Sequence, residues 1–534
     1  MIGSGPNGLV CANRLADAGF DVVVLEQGAV PGGGVSSAED TLPGFIHDRC
    51  AGFFPLTAAS PAFSDLGLER FGLEFIAPAV AMAHPFLDGS SIELHRDLDE
   101  TVAGLERVSP GAGRAWGQIS NLLLAHRELV LETALHSFPP LIPGLRLAVR
   151  LRRESLDLAR LMIGSSATLG RTLFHDEGAT AWLSGSVAHS DLSPGAAASA
   201  AFGFGLTWLG HVVGWPIVRG GAGRLTQALV DRLRCAGGSI RCEAGVADIL
   251  VRGSQVSGVR LTCGDELPAQ VVVAAVSPRP LLRMLPDDAL PRRIVARLEQ
   301  WRYGIGTFKL DWALSAPVPW TAPGAWRAGA LHLGDTIGAL FKSFHEAGRG
   351  LLPEAPTIVV GQQSLHDDTR APAGAHTLYA YSRLPATLEH DRVAERIEER
   401  IEAFAPGFRE AILARRVCSP RDIELANPNM VGGDLAGGSL ELDQQLIFRP
   451  TPELVRHRTP LRGLYVAGTC VHPGAGVHGV PGAGAARAVV ADSRLVGRCR
   501  QRFVSAAVDM AARSGPAPTR LNPTAPSESA RGGC

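Results

Sequence analysis

Gly3-Ser4-Gly5-Pro6-Asn7-Gly8 reads G-x-G-x-x-G and stands almost at the start of the chain. An apolar-periodic stretch follows from Leu9 to Ala16, and a β-branched run, Val22-Val23-Val24-Leu25, then ends on Glu26. Glycine turn, helix, strand and terminal acid in this order are typical of the mononucleotide-binding half of a dinucleotide fold. The sequence therefore predicts a bound dinucleotide.

Each part of this motif has its own expected contact. The first glycine permits a tight turn, the second lets backbone approach a pyrophosphate, and the third lets the helix pack on the sheet. The free N–H groups at the start of the helix favour phosphate. Glu26 falls where a carboxylate would accept hydrogen bonds from the ribose hydroxyls. Pro31-Gly32-Gly33-Gly34-Val35, directly after it, allows a loop to fold back towards the middle of the ligand.

Only Met1 and Ile2 precede the motif, whereas a central parallel strand normally reads as a longer apolar run. Two alternatives follow: the true start of the protein lies upstream of Met1, or the first strand is short.

Composition excludes several classes of protein. A chain of 534 residues suits two domains or one large two-part body. Its 51 basic and 52 acidic residues give a net charge of −1, which argues against nucleic acid as a partner. None of the nine cysteines forms a C-x-x-C pair, so the sequence predicts neither a redox dithiol nor a metal site. This cysteine usage favours a reduced cytoplasmic compartment.

The stretch from Ala196 to Val218 contains His211 as its only ionisable side chain and is long enough to span a bilayer. It is, however, rich in Ala and Gly and holds Ser199, Thr207 and Pro216, which weakens its transfer energy. We expect it to form the buried wall of an apolar cavity rather than a membrane span.

Helical periodicity dominates the region from about 61 to 215. Its leucines recur as Leu145-Leu147-Leu151 and Leu156-Leu158-Leu161, and we interpret the arginines as an opposite, solvated face, with an interfacial membrane helix as the alternative. The arginines are Arg146, Arg150, Arg152, Arg153 and Arg160. His189-Ser190-Asp191 cannot be a hydrolytic triad because neighbours in sequence do not face one another, so we expect a capping turn.

A second α/β block contains a helix from Thr226 to Leu233 and strands over 239–241, 247–251, 256–261 and 270–274. It has no G-x-G-x-x-G of its own, so we expect it to complete the first domain rather than form a nicotinamide domain. The region 280–419 carries strands at 307–314, 357–362 and 376–381 and an amphipathic helix ending before Pro406. This mixture predicts an antiparallel sheet backed by helices.

Near the end of the chain, Gly463 to Thr469 reads as a strand followed by a turn. The stretch from His472 to Gly482 then opens a small-residue helix that runs to Ala491, and a helix start of this kind is again a site for negative charge. The Pro/Ser/Thr/Ala/Gly-rich segment 514–534 predicts a disordered tail.

Taken together, these motifs resemble those of a phytoene-desaturase-type, FAD-dependent member of the flavin amine oxidase superfamily. The resemblance is closest to the branch called pyridine nucleotide-disulfide oxidoreductase domain-containing protein 2. It extends from residue 1 to about 490. The matching stretches, in family order, are Gly3 to Leu9, Leu42-Pro43-Gly44-Phe45, Gly214-Trp215-Pro216 with Gly220-Gly221, Asn427 to Asp434, and His472-Pro473-Gly474 with Val477-His478-Gly479. One departure is Thr469, where many relatives carry an acid.

The resemblance implies noncovalent FAD and a two-part α/β body. The expected architecture is a Rossmann-like FAD-binding domain built from the discontinuous segments 1–60, 216–280 and 421–500. An inserted α+β substrate domain of antiparallel sheet plus helices would comprise 61–215 and 281–420, with the disordered tail at 514–534.

Motif and resemblance together give a set of cofactor-binding residues. The set is Gly3, Ser4, Gly5, Pro6, Asn7, Gly8, Glu26, Gln27, Gly32, Gly33, Gly34, Val35, Val246, Gly468, Thr469, Gly479, Val480 and Pro481. His472 and His478 are the titratable candidates beside the expected flavin ring, and for each a structural hydrogen-bonding role is favoured over a catalytic one. We interpret Cys470 as a core residue rather than a flavin tether.

The resulting functional hypothesis is an FAD-dependent dehydrogenase or desaturase that oxidises a mainly apolar small molecule by hydride transfer to flavin. The alternatives are a flavin amine oxidase with an aromatic cage, a redox-neutral double-bond isomerase, and a non-enzymatic escort protein for lipidated partners. The electron acceptor stays open between oxygen and a quinone, as do the oligomeric state and a peripheral membrane contact.

Overall fold

The computed structural model describes residues 1–494, and residues 1–490 form one compact unit. The strands are β1 (Val23–Leu25), β2 (Ser37–Ala38), β3 (His47–Asp48), β4 (Phe75–Ile76), β5 (Val80–Pro85), β6 (Ser91–His95), β7 (Ile217–Val218), β8 (Ser239–Arg241), β9 (Val246–Arg252), β10 (Gln255–Leu261), β11 (Glu266–Pro268), β12 (Val272–Ala274), β13 (Thr307–Leu314), β14 (Ala328–Leu333), β15 (Ile358–Gly361), β16 (His376–Arg383), β17 (Ile412–Cys418) and β18 (Leu464–Val466). The tail predicted at 514–534 lies outside the described residues.

The α-helices alternate with these strands and dominate the region before β7. They are α1 (Pro6–Asp17), α2 (Pro55–Ala59), α3 (Pro61–Ser64), α4 (Leu98–Val108), α5 (Ala112–Leu124), α6 (Arg127–Ala134), α7 (Leu141–Leu151), α8 (Glu154–Ile163), α9 (Ser166–Phe174), α10 (Glu177–Gly185), α11 (Ser199–Val212), α12 (Gly223–Cys235), α13 (Pro278–Met284), α14 (Arg292–Glu299), α15 (Ile337–Gly348), α16 (His390–Phe404), α17 (Pro420–Ala426) and α18 (Val480–Ser493). Strands and helices in this mixture confirm the mixed α/β class.

A parallel sheet forms around the first residues of the chain. Ile2 bridges Leu25 of β1 on one side and Ala274 of β12 on the other, both in parallel. Because β1 also pairs with β8 and β12 with β18, the strand order is β8-β1-Ile2-β12-β18. The residues before the glycine turn pair with β1: the Leu25 N–H donates to the Met1 carbonyl and the Gly3 N–H donates to the Leu25 carbonyl, each at 2.8 Å.

The larger sheet has seven strands in the order β17-β13-β16-β15-β14-β5-β6. All neighbouring pairs run antiparallel except β14 and β5, so the antiparallel sheet predicted for 280–419 forms and also includes two strands from the earlier helical region. The buried side of α16 covers this sheet, with Val393, Ile397 and Ile401 in one core with Phe308 and Leu310.

The apolar stretch 196–218 folds as the 14-residue helix α11 followed by the short strand β7. Phe204, Trp208 and Leu209 of this helix lie in one core with Trp116 and Trp182. Among residues 1–494, no helix combines the length and the apolarity needed to cross a bilayer.

Two expectations about the helical region are wrong. Leu145 and Leu156 were expected to share a buried face with their neighbours, but their exposed fractions are 68 % and 78 %, whereas Leu151 is buried. The reason is helical geometry, because residues two apart, such as Leu145 and Leu147, point to different faces. His189-Ser190-Asp191 caps no α-helix: Asp191 accepts hydrogen bonds from Ser439 and Leu440, and α11 begins after Ala198.

Candidate active site

The glycine turn leads directly into α1, whose start is capped by no side chain of residues 1–494. Gly8 is pressed against the turn, since a Cβ there would lie 2.2 Å from the Gly3 carbonyl oxygen. Gly5 faces the other way, and a Cβ on it would meet no atom within 4 Å. Gly8 therefore allows the helix to pack closely on the turn. Gly5 leaves open space in front of the free N–H groups at the start of α1.

Glu26 follows β1 and is held in a fixed position by backbone donors. The Ser4 N–H donates to Oε2 at 3.0 Å and the Gly28 N–H donates to Oε1 at 2.8 Å, while the Ser4 hydroxyl also donates to Oε2. A carboxylate has about four acceptor positions, so these contacts orient it and leave capacity for further donors such as hydroxyl groups.

The loop after Glu26 folds back onto the glycine turn. The Gly32 N–H donates to the Ser4 hydroxyl at 3.1 Å, and a Cβ on Gly33 would lie 3.3 Å from the Cα of Gly5. Asn427 reaches the same place, with its Nδ2 3.6 Å from that Cβ position. The fold thus brings Gly32 to Val35 beside Gly3 to Gly8, and it adds Asn427, which belongs to a matching stretch but not to the predicted binding set.

A second helix start meets the first. A Cβ on Gly482 of α18 would lie 2.0 Å from the Asn7 carbonyl oxygen, and one on Gly479 would lie 2.9 Å from Val10 Cγ2. The beginning of α18 therefore packs directly on the first turn of α1. Both helix starts carry partial positive charge, so their proximity creates a place that favours anionic groups.

The remaining predicted cofactor residues lie around the carboxyl ends of the parallel strands. Near Val246, the Ala244 N–H donates to the Glu26 carbonyl at 2.8 Å, and a Cβ on Gly245 would lie 3.4 Å from Gln27 Cγ. Gly468 follows β18, and a Cβ there would lie 2.4 Å from the Val276 carbonyl oxygen. The structure brings these segments to one edge of the sheet, while each contact with the cofactor stays a prediction.

His478 braces the loop before α18. Its Nδ1 accepts from the Val480 N–H at 3.2 Å, so the proton lies on Nε2 and is donated to the Gly474 carbonyl at 3.1 Å. Burial lowers the pKa of His478 to about 4, so the ring is neutral near pH 7. Both ring nitrogens are engaged, which fits a structural role.

His472 differs, because neither of its ring nitrogens has a hydrogen-bond partner among the described residues. The ring is buried and packs edge-on against Phe138 at 5.5 Å between centroids. Burial, and after it the charge of Arg449, lowers the pKa of His472 to about 4. The two nitrogens of this neutral imidazole are enclosed, so each lacks both a partner among residues 1–494 and contact with solvent.

Arg449 is completely buried and fixes the loops next to His472. Its guanidinium donates to the carbonyls of Ser439 at 3.1 Å, Ala436 at 3.0 Å and Thr469 at 3.2 Å. Burial lowers its pKa below the usual range. These contacts fix the backbone of Thr469, which is one of the predicted cofactor-binding residues. The sequence does not predict them, because a single arginine belongs to no recognisable motif.

A polar side-chain network lies on the seven-stranded sheet. Tyr381 Oη lies 2.8 Å from His189 Nδ1, and His189 Nε2 lies 2.9 Å from His332 Nε2. Burial lowers the pKa of His189 to about 3 and that of His332 well below its ordinary value, while it raises the pKa of Tyr381 to about 12. All three groups are therefore neutral near pH 7, and the chain of hydrogen bonds sets their orientation.

Tyr379 stacks against Tyr381 with ring centroids 6.3 Å apart and an interplanar angle of 18°. The ammonium group of Lys309 lies 5.1 Å from the centre of the Tyr379 ring and pairs with Asp311. This centroid distance lies within the range of neighbouring aromatic pairs. The Lys309 ammonium group occupies one position over the Tyr379 ring.

The chain is similar to several known proteins along nearly its whole described length. Residues 7–490 match the model of a family described as flavin containing amine oxidoreductase. The chain is 29 % identical to pyridine nucleotide-disulfide oxidoreductase domain-containing protein 2 of Rattus norvegicus, over 92 % of this chain and 93 % of the relative. It is 27 % identical to hydroxyneurosporene desaturase of Cereibacter sphaeroides, over 92 % and 97 %.

A crystal structure of an oxidoreductase from Methanosarcina mazei is similar in fold, with a TM-score of 0.57 and 16 % identity over 91 % of this chain and 98 % of that one. The family match covers nearly the whole region that the structure describes and includes Glu26 and the second helix start, while Gly3 to Pro6 precede the matched residues. The chain belongs to the flavin containing amine oxidoreductase family.

Proposed function

We propose that the protein is an FAD-dependent dehydrogenase or desaturase that oxidises a mainly apolar small molecule. The observation that carries this proposal is the uncapped start of α1 with open space at the Cβ position of Gly5, together with Glu26 fixed by Ser4 and Gly28 and the start of α18 packed on the first turn of α1. An uncapped helix start, a glycine whose Cβ position is open and an oriented carboxylate are what a dinucleotide requires.

The residues present fit FAD. The N–H groups at the start of α1 would hold the pyrophosphate, and Glu26 would accept from the ribose hydroxyls of the adenosine half. The segment around Gly468 and Thr469, together with the start of α18 at Val480, would hold the flavin half. When bound, FAD supplies the two-electron acceptor for a hydride taken from the substrate. The finer assignment of a Rossmann-like domain formed by 1–60, 216–280 and 421–500 is part of this proposal.

The protein's own contribution is to orient the bound molecules and to control protons and water. The start of α18 stabilises negative charge in front of it. His472 is neutral and has unpartnered nitrogens, so it is the side chain that would exchange a hydrogen bond or proton with a bound molecule. His478 and Arg449 hold the two loops on either side of it.

Two observations favour an apolar substrate over an amine. Phe202 and Ala196, within and just before α11, pack with Leu440 and Ala475 of the segments that flank His472, so an apolar wall approaches the proposed site. The Lys309 ammonium group already lies 5.1 Å from the centre of the Tyr379 ring, so a second cation beside this ring would be repelled. A similar chain carries the name hydroxyneurosporene desaturase, which points the same way.

The proposal has a direct test. The purified protein is examined for a flavin spectrum and then mixed anaerobically with a panel of polyenes, lipids and amines. We expect the flavin band to bleach with an apolar compound whose product is two mass units lighter, as loss of two hydrogens requires. Bleaching with amines alone would identify an amine oxidase, an unchanged product mass an isomerase, and a protein that binds no FAD would contradict the proposal.

The substrate wall is tested with Leu206→Asp and Val213→Asp, both at half-buried positions in or just after α11. A buried methylene contributes about 0.8 kcal/mol, so a carboxylate in the wall should weaken binding of an apolar chain by more than tenfold. Leu425→Asp, at an exposed leucine of α17, is the matched control. Undiminished turnover in both wall variants with FAD retained would place the substrate elsewhere.

A further inference from the structure

The hairpin formed by α7 and α8 exposes an unusual set of aliphatic side chains. Leu147, Leu151, Leu158 and Leu161 face inward and pack on the core around Trp116. The outer side, here called the hairpin face, carries six large aliphatic residues with exposed fractions between 57 % and 78 %. They are Leu141, Ile142, Leu145, Val149, Leu156 and Ile163.

Single exposed leucines are common on protein surfaces, but a contiguous group marks an interaction site. The six residues fall within residues 141–163, and their helices are already anchored by the inward-facing leucines. The packing of the hairpin on the core therefore does not require the outer aliphatic residues. The apolar side chains of the hairpin face do not contribute to the core.

The charge of the same segment narrows the choice of partner. Five exposed arginines and two acids, Glu154 and Asp157, give residues 141–163 a net charge of +3, against −1 for the whole chain. The arginines are Arg146, Arg150, Arg152, Arg153 and Arg160. Among the described residues, none of the five forms a salt bridge, so their charge is not neutralised within the fold.

We propose that the hairpin face docks on a lipid bilayer that carries anionic headgroups. Aliphatic side chains next to arginines on a surface helix match the boundary between acyl chains and headgroups, where leucines enter the apolar layer and guanidinium groups bind phosphate. A second copy of this chain fits less well, because the same five arginines would face one another across the contact.

The sequence alone favoured a solvated arginine face because the leucines were expected to be buried. The structure favours the interfacial alternative instead, because Leu145 and Leu156 are exposed together with Arg146 and Arg160. The arginines and the exposed aliphatic residues thus belong to one surface instead of opposite ones.

The test is sedimentation of the full-length, FAD-reconstituted protein with phosphatidylglycerol vesicles and, separately, with phosphatidylcholine vesicles. We expect binding to the anionic vesicles and at least tenfold weaker binding to the neutral ones, with the difference shrinking in high salt. The variant Leu145→Ser/Val149→Ser and the variant Arg146→Glu/Arg150→Glu should each lower binding by more than tenfold.

Leu413→Ser/Leu425→Ser and Arg392→Glu alter exposed residues elsewhere on the chain and serve as controls that should bind like the wild type. The changed side chains are all exposed, so melting temperature and FAD content should be unaffected. The proposal is overturned if the wild type stays in the supernatant with anionic vesicles, or if the hairpin variants bind as well as the controls. It is also overturned if light scattering shows a dimer that Leu145→Ser/Val149→Ser dissociates, because a second copy would then cover this face.

Discussion

The two halves of the candidate site are built from different parts of the polypeptide. Around Gly3 to Gly8 the contacts come mainly from backbone groups. The turn is possible only because its glycines have no Cβ atom. On the seven-stranded sheet the contacts come from side chains, with Tyr381, His189 and His332 contributed by separate elements of the chain.

This difference predicts how each half can be damaged. A site made by backbone is lost when a substitution adds atoms, because the space in which backbone or ligand lies is filled. A site made by side chains is lost when a substitution removes a partner and leaves a buried polar atom without a hydrogen bond. Four expected outcomes, ordered from the largest effect to the smallest, test this contrast.

Acid should have the largest effect, because buried neutral histidines occur in the seven-stranded sheet, in α11 and before α18. Burial lowers the pKa of His84 and His211 to about 4 and that of His189 to about 3. Below pH 6.5 the unfolded chain binds protons that the folded chain does not, so the free energy of unfolding falls as the pH drops towards 4 and is constant above about 7. Each such histidine contributes about 1.4 kcal/mol per pH unit in that window, which amounts to several kcal/mol in total.

Thermal unfolding between pH 8 and pH 5 measures this effect. We expect a flat melting temperature above pH 7 and a steep fall below pH 6.5. A melting temperature that is the same at pH 7 and pH 5 would show that these imidazoles are not buried in their neutral form.

Gly8→Val should be the most damaging single substitution in the backbone half. A side chain there collides with the Gly3 carbonyl oxygen, since even a Cβ would lie only 2.2 Å away. We expect a loss of about 3 kcal/mol or more in the free energy of unfolding, measured with urea. Gly5→Ala is the matched control, because its φ of −62° suits any residue and its Cβ would touch nothing. Equal midpoints for the two variants would contradict the packing described here.

Glu26→Ala should weaken FAD binding without unfolding the protein. Loss of hydrogen bonds to a charged group amounts to about 1.5–3 kcal/mol, which raises the Kd for FAD by about 10- to 100-fold. Asp21→Ala, at an exposed acidic residue just before β1 and outside the predicted binding set, should change the Kd much less. Titration of the apoprotein with FAD measures the Kd of both variants. An unchanged Kd for Glu26→Ala would show that Glu26 does not bind the ribose.

Tyr381→Phe should have the smallest effect. It removes only the hydroxyl group that bonds to His189 Nδ1 at 2.8 Å. The buried nitrogen is left unsatisfied, which costs about 1 kcal/mol of stability. FAD content should be unchanged, in contrast to Glu26→Ala. A Tyr381→Phe protein that is fully stable but loses FAD would mean that the two halves are not separate.

The same contrast explains what could be predicted from the sequence. Gly3, Gly5, Gly8 and Glu26 keep a fixed spacing because one turn, one helix and one strand connect them, so the pattern is visible along the chain. The strands at 239–241 and 307–314 have the bounds that were expected, and the others differ by a few residues. Local chemistry determines all of these features.

The rest depended on contacts between distant residues. His189 and Tyr381 are 192 positions apart, and Asp191 bonds to Ser439 rather than to a neighbouring helix. Arg449 is recognisable as a loop anchor only once the carbonyls around it are known. The exposure of Leu145 was missed for a different reason, because three leucines near one another in sequence were assigned to one face without regard to the helical angle between them.

The central claim is that FAD binds in the open space in front of Gly5. The most direct measurement is the absorbance spectrum of the purified wild type and of Gly5→Val, with circular dichroism as the check on folding. We expect a yellow wild type that releases FAD on denaturation. Gly5→Val should fold, because a Cβ at Gly5 would meet no atom of residues 1–494 within 4 Å, but it should be colourless, because the valine side chain would occupy the space of the cofactor. A wild type that neither contains nor binds flavin, or a Gly5→Val variant with full flavin occupancy, would contradict it.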